Sequence, residues 1–221
     1  MFERYAIYVT FDGAFGAAGA AWLGWDIARA TVTREAREET KRPRKYGFHA
    51  TLKAPFHLAQ GRTEDELREA FKRLCGSLTP IAHEGLQIQP IGRFLALTID
   101  GDDTALKILA SRVVCEFDAF RAPLSEAEIE KRLKGRLSAE QISNVHRWGY
   151  PHVMEQFRFH VTLTGPLKEP HAQQIRDEVT RTFTPLIPHP FHLAHLTLVG
   201  QRADGFFEQI TRLALTGSKP A

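Results

Sequence analysis

Two histidines sit in strings that repeat. "FHATLKAPF" runs from Phe48 to Phe56, and "FHVTLTGPL" from Phe159 to Leu167. Five of the nine positions are identical, including the histidine and the threonine two places beyond it. His49 and His160 lie 111 residues apart, each with Phe before it and Pro six places after it. An imidazole with an ordinary pKa of about 6.5 can be neutral or charged near pH 7, so a facing pair can take up one proton and deliver another. Such general acid–base help is worth about 10²–10⁴-fold per group. Thr51 and Thr162 fall on their histidine's own strand face, because side chains alternate with a period of two. Their hydroxyls can donate to an anion held there.

A lone His-x-Thr is weak evidence in a chain with ten histidines. His195, Leu196 and Thr197 form a third example. Order separates them. His49 and His160 each open a half and precede a helical pattern, whereas His195 follows the second such pattern. A strand histidine is often only a hydrogen-bonded core residue. Packing does not require an imidazole at both equivalent places, so the repeat favours a paired role for His49 and His160. Lys53 lies two residues beyond Thr51 and Arg158 two before His160. Both fall on the histidine face by alternation, and either can neutralise an anion. Tyr46 is expected to face away from His49 unless the chain turns at Gly47. "KRPRK", Lys41 to Lys45, is a solvated loop placed where it could also steer anions. His189, His192 and His195 are spaced by three, which does not align ligands on a strand. No pattern such as H-E-x-x-H occurs, and no metal site or other cofactor is expected.

The elements that must position these residues repeat as well. Aromatic and β-branched content predicts a strand over Arg4–Phe11. The "FHATL" strand puts Phe48, Ala50 and Leu52 on one face and His49, Thr51 and Lys53 on the other, and Pro55 is expected to end it. Thr63 and Glu66 form a capping-box pattern before a helix carrying Leu67, Ala70, Phe71 and Leu74, which Gly76 should stop. Strands follow at Gly85–Ile91 and Phe94–Asp100, joined at Gly92. The second half predicts a strand at "FRFHVTL", a helix near Ala172–Phe183, and strands at Phe191–Val199 and Gly205–Leu215. Thr104–Trp148 reads as mainly helical, with capping boxes at Ser125/Glu128 and Ser138/Gln141 and a closing turn at "WGYP". "GAFGAAGAAWLGW", Gly13 to Trp25, reads as a loop and a packed turn. The expected fold class is therefore α+β: a pseudo-symmetric duplication of a strand–helix–strand–strand unit, with antiparallel sheets flanking a central cleft. The chain is expected to be one two-lobed domain, with lobes at 1–101 and 151–221 and a helical insert at 102–150.

Composition narrows the function classes. The 221 residues are 43% hydrophobic and 25% charged, as in a globular protein with a core. A net charge of +3 does not indicate a duplex-DNA surface. Cys75 and Cys115 are too few and too far apart for a disulfide framework, and both are expected to be packed thiols in a reducing cytoplasm. Nothing reads as a signal peptide, and Gly13–Trp25 is too short to span a bilayer, so no membrane partner is expected.

The two His-x-Thr strands, one per half of a duplicated α+β unit, resemble the 2H phosphoesterase superfamily, which includes RNA 2′,3′-cyclic phosphodiesterases. The fuller context "RYAIYVTF", "AWLGWD" and "RKYGFHATLKAPF" is similar to a narrower bacterial branch associated with phosphonate-metabolism genes. The resemblance covers about Tyr5 to Leu215. It implies a cleft with His49 and His160 in catalytic places and Thr51 and Thr162 against a phosphate. The implied activity is metal-independent opening of a cyclic phosphodiester, with one imidazole as base for water and the other as acid for the departing alkoxide. The implied partner is a small phosphorylated substrate linked to phosphonate metabolism. RNA end processing and a non-catalytic phosphate-binding module stay open beside it. The insert departs from compact members of the superfamily and argues against long RNA.

Overall fold

The structure, a computed structural model, describes residues 2–218. Eleven strands are described: β1 (Tyr5–Thr10), β2 (Trp25–Asp26), β3 (Thr31–Val32), β4 (His49–Phe56), β5 (Ile81–His83), β6 (Gly85–Ile91), β7 (Phe94–Asp100), β8 (Val161–Thr162), β9 (Phe191–Leu193), β10 (His195–Gln201) and β11 (Phe207–Ala214). Six α-helices accompany them: α1 (Gly13–Leu23), α2 (Glu64–Ser77), α3 (Thr104–Glu116), α4 (Glu126–Leu133), α5 (Ala139–Trp148) and α6 (Ala172–Phe183). Seven strands form one sheet in the order β11-β10-β1-β4-β8-β7-β6, with every described pairing antiparallel. The α+β class expected from the sequence is the class observed.

The two repeated strings lie side by side at the middle of this sheet. They meet at a single bridge, Ala50 to Val161. The flanking hairpins are exchanged between halves. The β6–β7 hairpin of the first half pairs with β8 of the second, and β10–β11 of the second pairs with β1 of the first. Neither hairpin follows its own half's repeated strand across the sheet. One sheet face is apolar. Ile7 and Val9, Ala50 and Leu52, Val161 and Leu163, Leu95 and Leu97, and Leu196 and Leu198 are buried in one core cluster with Leu67, Phe71 and Phe183 of the helices. The opposite face carries His49, Thr51, His160 and Thr162.

Several local expectations match to the residue. Thr63 and Glu66, Ser125 and Glu128, and Ser138 and Gln141 form reciprocal capping boxes. The turn at Gly92 and the bounds of α6 are as read from the pattern. Others differ. Gly13–Leu23 is a helix, not a loop and turn. Its glycines serve close packing. A Cβ on Gly19 would lie 2.1 Å from the Phe48 ring, and one on Gly16 2.1 Å from the Phe11 carbonyl oxygen. The helix ends at Gly24, whose φ of 82° is the left-handed conformation that glycine adopts without a Cβ penalty. Pro55 does not end β4, which runs on to Phe56. The β1–β4 register slips between Tyr5 and Ile7, so the proline falls in an irregular stretch where no ladder donor is required. The second repeated strand is shorter than its pattern suggests, with only Val161 and Thr162 paired. The run at Phe191–Val199 breaks at Ala194 into two strands that join different sheets. Cys75 is buried as expected, whereas Cys115 is exposed near the end of α3. No helix among the described residues is long and apolar enough to cross a membrane.

Candidate active site

The central register builds the site. Ala50 pairs with Val161, and carrying that antiparallel register one residue further each way sets Thr51 toward His160 and His49 toward Thr162. Directly opposed side chains share a face with Cβ atoms about 4.5–5.5 Å apart, and diagonal neighbours lie about 7–8 Å apart. Each histidine therefore faces the other repeat's threonine, and the two imidazoles are diagonal neighbours on the polar face. The proximity registers electrostatically, since the charge of His160 helps hold the His49 pKa down.

Both rings are held in the same way. Nδ1 of His49 lies 2.9 Å from the Gly47 carbonyl oxygen, and Nδ1 of His160 lies 2.9 Å from the Arg158 carbonyl oxygen. A carbonyl only accepts, so in each neutral ring Nδ1 carries the hydrogen and Nε2 carries the lone pair. In His49 that lone pair meets the Thr51 hydroxyl at 3.0 Å, with the hydroxyl donating. The carbonyl used is two residues upstream in both cases, so the duplicated string reproduces the tautomer as well as the residue. Gly47, with φ of 73°, supplies the turn that aims its carbonyl back at His49. That turn also brings Tyr46 to His49, with ring centroids 6.2 Å apart. Tyr8, opposite Thr51 on β1, stacks on the His49 ring at 3.8 Å.

Burial dominates the electrostatics. It lowers the His49 pKa to about 4, opposed by the bond to the Gly47 carbonyl and reinforced by His160. Burial also lowers the His160 pKa, opposed by the Arg158 carbonyl bond and assisted by the Arg158 charge. Both rings are therefore neutral near pH 7 in the unliganded protein. Between about pH 6.5 and pH 4 the unfolded chain binds a proton at His49 that the folded chain refuses. The contribution to stability is present above pH 6.5 and is lost as pH falls toward 4. The melting temperature is expected to drop across this window more steeply for the wild type than for His49→Gln. Equal slopes in thermal scans from pH 7.5 to 4 would contradict the burial assigned to this ring.

A cleft of about 470 Å³ opens over these strands, and Thr51, Phe94, Tyr150, His152, Arg158 and His160 are among its lining residues. Of the residues singled out from the sequence, the cleft is lined by Thr51, Arg158 and His160, whereas His49 sits behind Thr51, bonded to its hydroxyl, and neither His49 nor Thr162 is among the lining residues. Lys53 is not brought there. The register slips between Tyr8, opposite Thr51, and Ile7, opposite Lys53. The irregularity breaks the alternation and turns Lys53 to the core side with Ile7. Its ammonium donates to the Val114 carbonyl at 3.0 Å and lies 3.8 Å from Asp118. Burial brings its pKa down to about 8 against the opposing pull of Asp118. His195 lines a separate pocket with Asp12 and Arg212. Within the basic run, Arg44 hydrogen-bonds the carbonyls of Gly24 and Arg34 and so ties down the chain leading to Tyr46. No group of three or more His, Cys, Asp or Glu side chains that could hold a metal ion is found among the described residues.

Sequence reasoning missed Tyr8, Tyr150 and His152, and it brought Tyr46 to His49 only on condition of a turn at Gly47, which is the turn observed. Tyr8 was readable as lying on one of two strand faces, and nothing local says which. Tyr150 and His152 follow α5, and only the return of the insert across the sheet carries them to the cleft. Gln141 Nε2 donates to Nδ1 of His152 at 3.3 Å, which links that ring to α5.

Residues 51–208 match the model of the family described as "Protein of unknown function (DUF1045)". The chain belongs to that family. This agrees with the narrower bacterial branch that the sequence resembles. Two curated relatives carry the name ribose 1,5-bisphosphate phosphokinase PhnN. The protein from Janthinobacterium sp. (strain Marseille) is 38% identical over 184 residues, covering 78% of this chain and 41% of that protein. The protein from Laribacter hongkongensis (strain HLHK9) is 33% identical over 177 residues, covering 75% of this chain and 41% of that protein. The chain spans about two fifths of the length of these relatives. Among solved structures, TT0787 of Thermus thermophilus aligns over 98% of this chain and 100% of its own, at 15% identity and a TM-score of 0.47. E. coli LigT complexed with 3'-AMP aligns over 98% of this chain and 99% of its own, at 15% identity and a TM-score of 0.46.

Proposed function

We propose that this chain is a metal-independent phosphoesterase of the 2H type that opens a cyclic phosphodiester in a small sugar phosphate. The observation that carries the reading is the matched pair of imidazoles. Each has Nδ1 committed to a carbonyl two residues upstream and Nε2 on the shared polar face. Hydrolysis of a cyclic phosphodiester adds water to phosphorus and breaks one ester P–O bond. One Nε2 takes the proton from water, and the other imidazole gives a proton to the departing oxygen. The acid needs a charged ring, and both rings are neutral when the site is unliganded. The bound phosphodiester supplies what is missing, because a negative charge within about 4–6 Å favours the imidazolium. On binding, the Thr51 hydroxyl turns from His49 Nε2 to a non-bridging oxygen and frees that lone pair, Thr162 donates to another oxygen, and Arg158 adds positive charge at the same rim.

The curated relatives support a sugar-phosphate substrate. Their longer chains bear the name of a kinase of ribose 1,5-bisphosphate. A cyclic phosphate bridging O1 and O2 of ribose 5-phosphate becomes ribose 1,5-bisphosphate when water adds and the bond from phosphorus to O2 breaks. We assign this chain to that class of step, in the phosphonate-related setting that the sequence resemblance implies. Two cysteines without a disulfide fit a cytoplasmic location.

The test is turnover in the presence of a chelator, with cyclic ribose phosphates, 2′,3′-cyclic nucleotides and an oligoribonucleotide ending in a cyclic phosphate. Turnover of the sugar phosphate well above the others supports the reading. Preference for the oligonucleotide would move the chain to RNA end processing. Tight phosphate binding without turnover of any of them would make it a binding module.

A further inference from the structure

The segment after α5 brings a third imidazole, His152, to the wall of the cleft with Arg158 and His160, and the proposed reaction does not use it. Two side chains of α5, three residues apart and so on one face of the helix, hold it there. Asn144 Nδ2 donates to the carbonyls of Pro151 at 3.3 Å and Val153 at 3.1 Å, which clamps the backbone on both sides of His152. Gln141 Nε2 meets the ring at Nδ1, 3.3 Å away. The Gln141 amide is not free to turn over. Its Oε1 accepts the Ser138 backbone N–H at 2.9 Å in the capping box, so the end that faces His152 is the NH2 group. An NH2 group only donates, and Nδ1 of His152 therefore carries the lone pair. In the neutral ring the hydrogen lies on Nε2, which has no partner among the described residues. This is the opposite tautomer to that of His49 and His160, whose Nδ1 atoms face carbonyl oxygens. A proton added at Nδ1 would set one N–H against another. Burial, and after it the charge of His160, also lowers the His152 pKa.

We infer that His152 is a sugar-binding residue of the cleft, whose neutral Nε2–H donates to a sugar oxygen of the substrate, with Gln141 as the positioning residue that fixes its tautomer. This rests on the phosphoesterase reading and deepens it. His49 and His160 keep their lone pairs on Nε2 and can exchange protons there. His152 has its lone pair occupied by Gln141 and offers only a donor, so it cannot serve as the base. A neutral donor suits a neutral acceptor. A phosphate at this place would draw a second proton onto the ring, which the Gln141 NH2 group opposes. The cleft, at about 470 Å³, is the size of a small-molecule site and has room for a sugar beside the reacting phosphodiester. The contact gives the helical insert a purpose: α5 supplies both the clamp on the His152 backbone and the group that orients its ring.

Long-range proton–nitrogen NMR of the imidazole rings reads the tautomers directly. At neutral pH the wild type is expected to carry the hydrogen on Nε2 in His152 and on Nδ1 in His49 and His160. Gln141→Glu keeps one oxygen for the Ser138 N–H and sets the other against Nδ1, so a hydrogen should appear there. A wild-type His152 with its hydrogen on Nδ1, or a ring unchanged by Gln141→Glu, would overturn the positioning. Kinetics read the contact. His152→Phe is expected to raise KM for the cyclic ribose phosphate by about 3- to 10-fold, the range for a neutral hydrogen bond, with the loss in KM rather than kcat. Ethylene cyclic phosphate has the reacting ring but no sugar, and its KM should show no such rise. His152→Gln, whose amide also donates, should recover part of the loss. A loss in kcat alone, equal losses on both compounds, or no loss on either would overturn the sugar contact. Titration with ribose 5-phosphate, followed at the His152 Nε2 resonance, separates this from the reaction itself. If neither cyclic compound turns over, a shift of that resonance with weaker binding in His152→Phe still supports the contact while the phosphoesterase reading fails. Binding that is absent, or as tight in His152→Phe as in the wild type, overturns the contact in either case.

Discussion

Replacing His160 with alanine is expected to lower kcat on the cyclic phosphodiester by about 10²–10⁴-fold while the protein stays folded. The ring is partly exposed, and its one recorded hydrogen bond goes to the Arg158 carbonyl. Removing it leaves no large cavity, so the melting temperature should change little. His49→Ala should lose a similar factor, with some loss of stability because Tyr8 loses its stacking partner. The double variant is informative. Water attack and alkoxide departure belong to one displacement, so a base without an acid has little left to do. Groups that act as a unit are strongly non-additive, and the double variant should fall little below the worse single one. Losses that multiply would mean that the two imidazoles act independently. An active single variant would remove the paired mechanism altogether.

Phe48→Ala is expected to destabilise the fold by about 3–5 kcal/mol, as large aromatic truncations in close-packed cores do. Phe48 is only 3% exposed. Its ring meets those of Phe11 and Phe15 at 5.2 Å and Phe183 at 5.7 Å. Gly19 of α1 lies against the same ring, so α1, β4 and α6 close on it together. The residue directly precedes His49, and core damage here should reach the site. Urea unfolding would read the stability, and kcat measured well below the melting temperature would read the site. Gly19→Ala attacks the contact from the other side, with an overpacking penalty of about 1–3 kcal/mol. A Phe48→Ala protein as stable as the wild type would show that this aromatic cluster is not the clamp its geometry implies.

Residue identity and order carried much of the site. The repeat singled out His49 and His160 from ten histidines and set His195 aside, because duplicated strings can be compared without knowing where either lies in space. Strand alternation then put Thr51 and Thr162 with their histidines, and capping boxes marked three helix starts to the residue. These are local rules, set by backbone geometry over two to four positions. The same rules failed where longer-range contacts decided. Alternation placed Lys53 in the cleft, but an irregularity against β1 turned it to Val114 and Asp118. Glycine content argued against a helix at Gly13–Leu23, but Gly16 and Gly19 are there to let Phe11 and Phe48 approach. Tyr150 and His152 reach the cleft only because the chain returns across the sheet after α5, and no spacing within the chain records that path. The sequence by itself singled out two imidazoles and the hydroxyls beside them as candidates, because that information is repeated along the chain. The tertiary structure alone decided what surrounds the pair, because register, bulges and the path of the insert arise from contacts between residues far apart in the polypeptide.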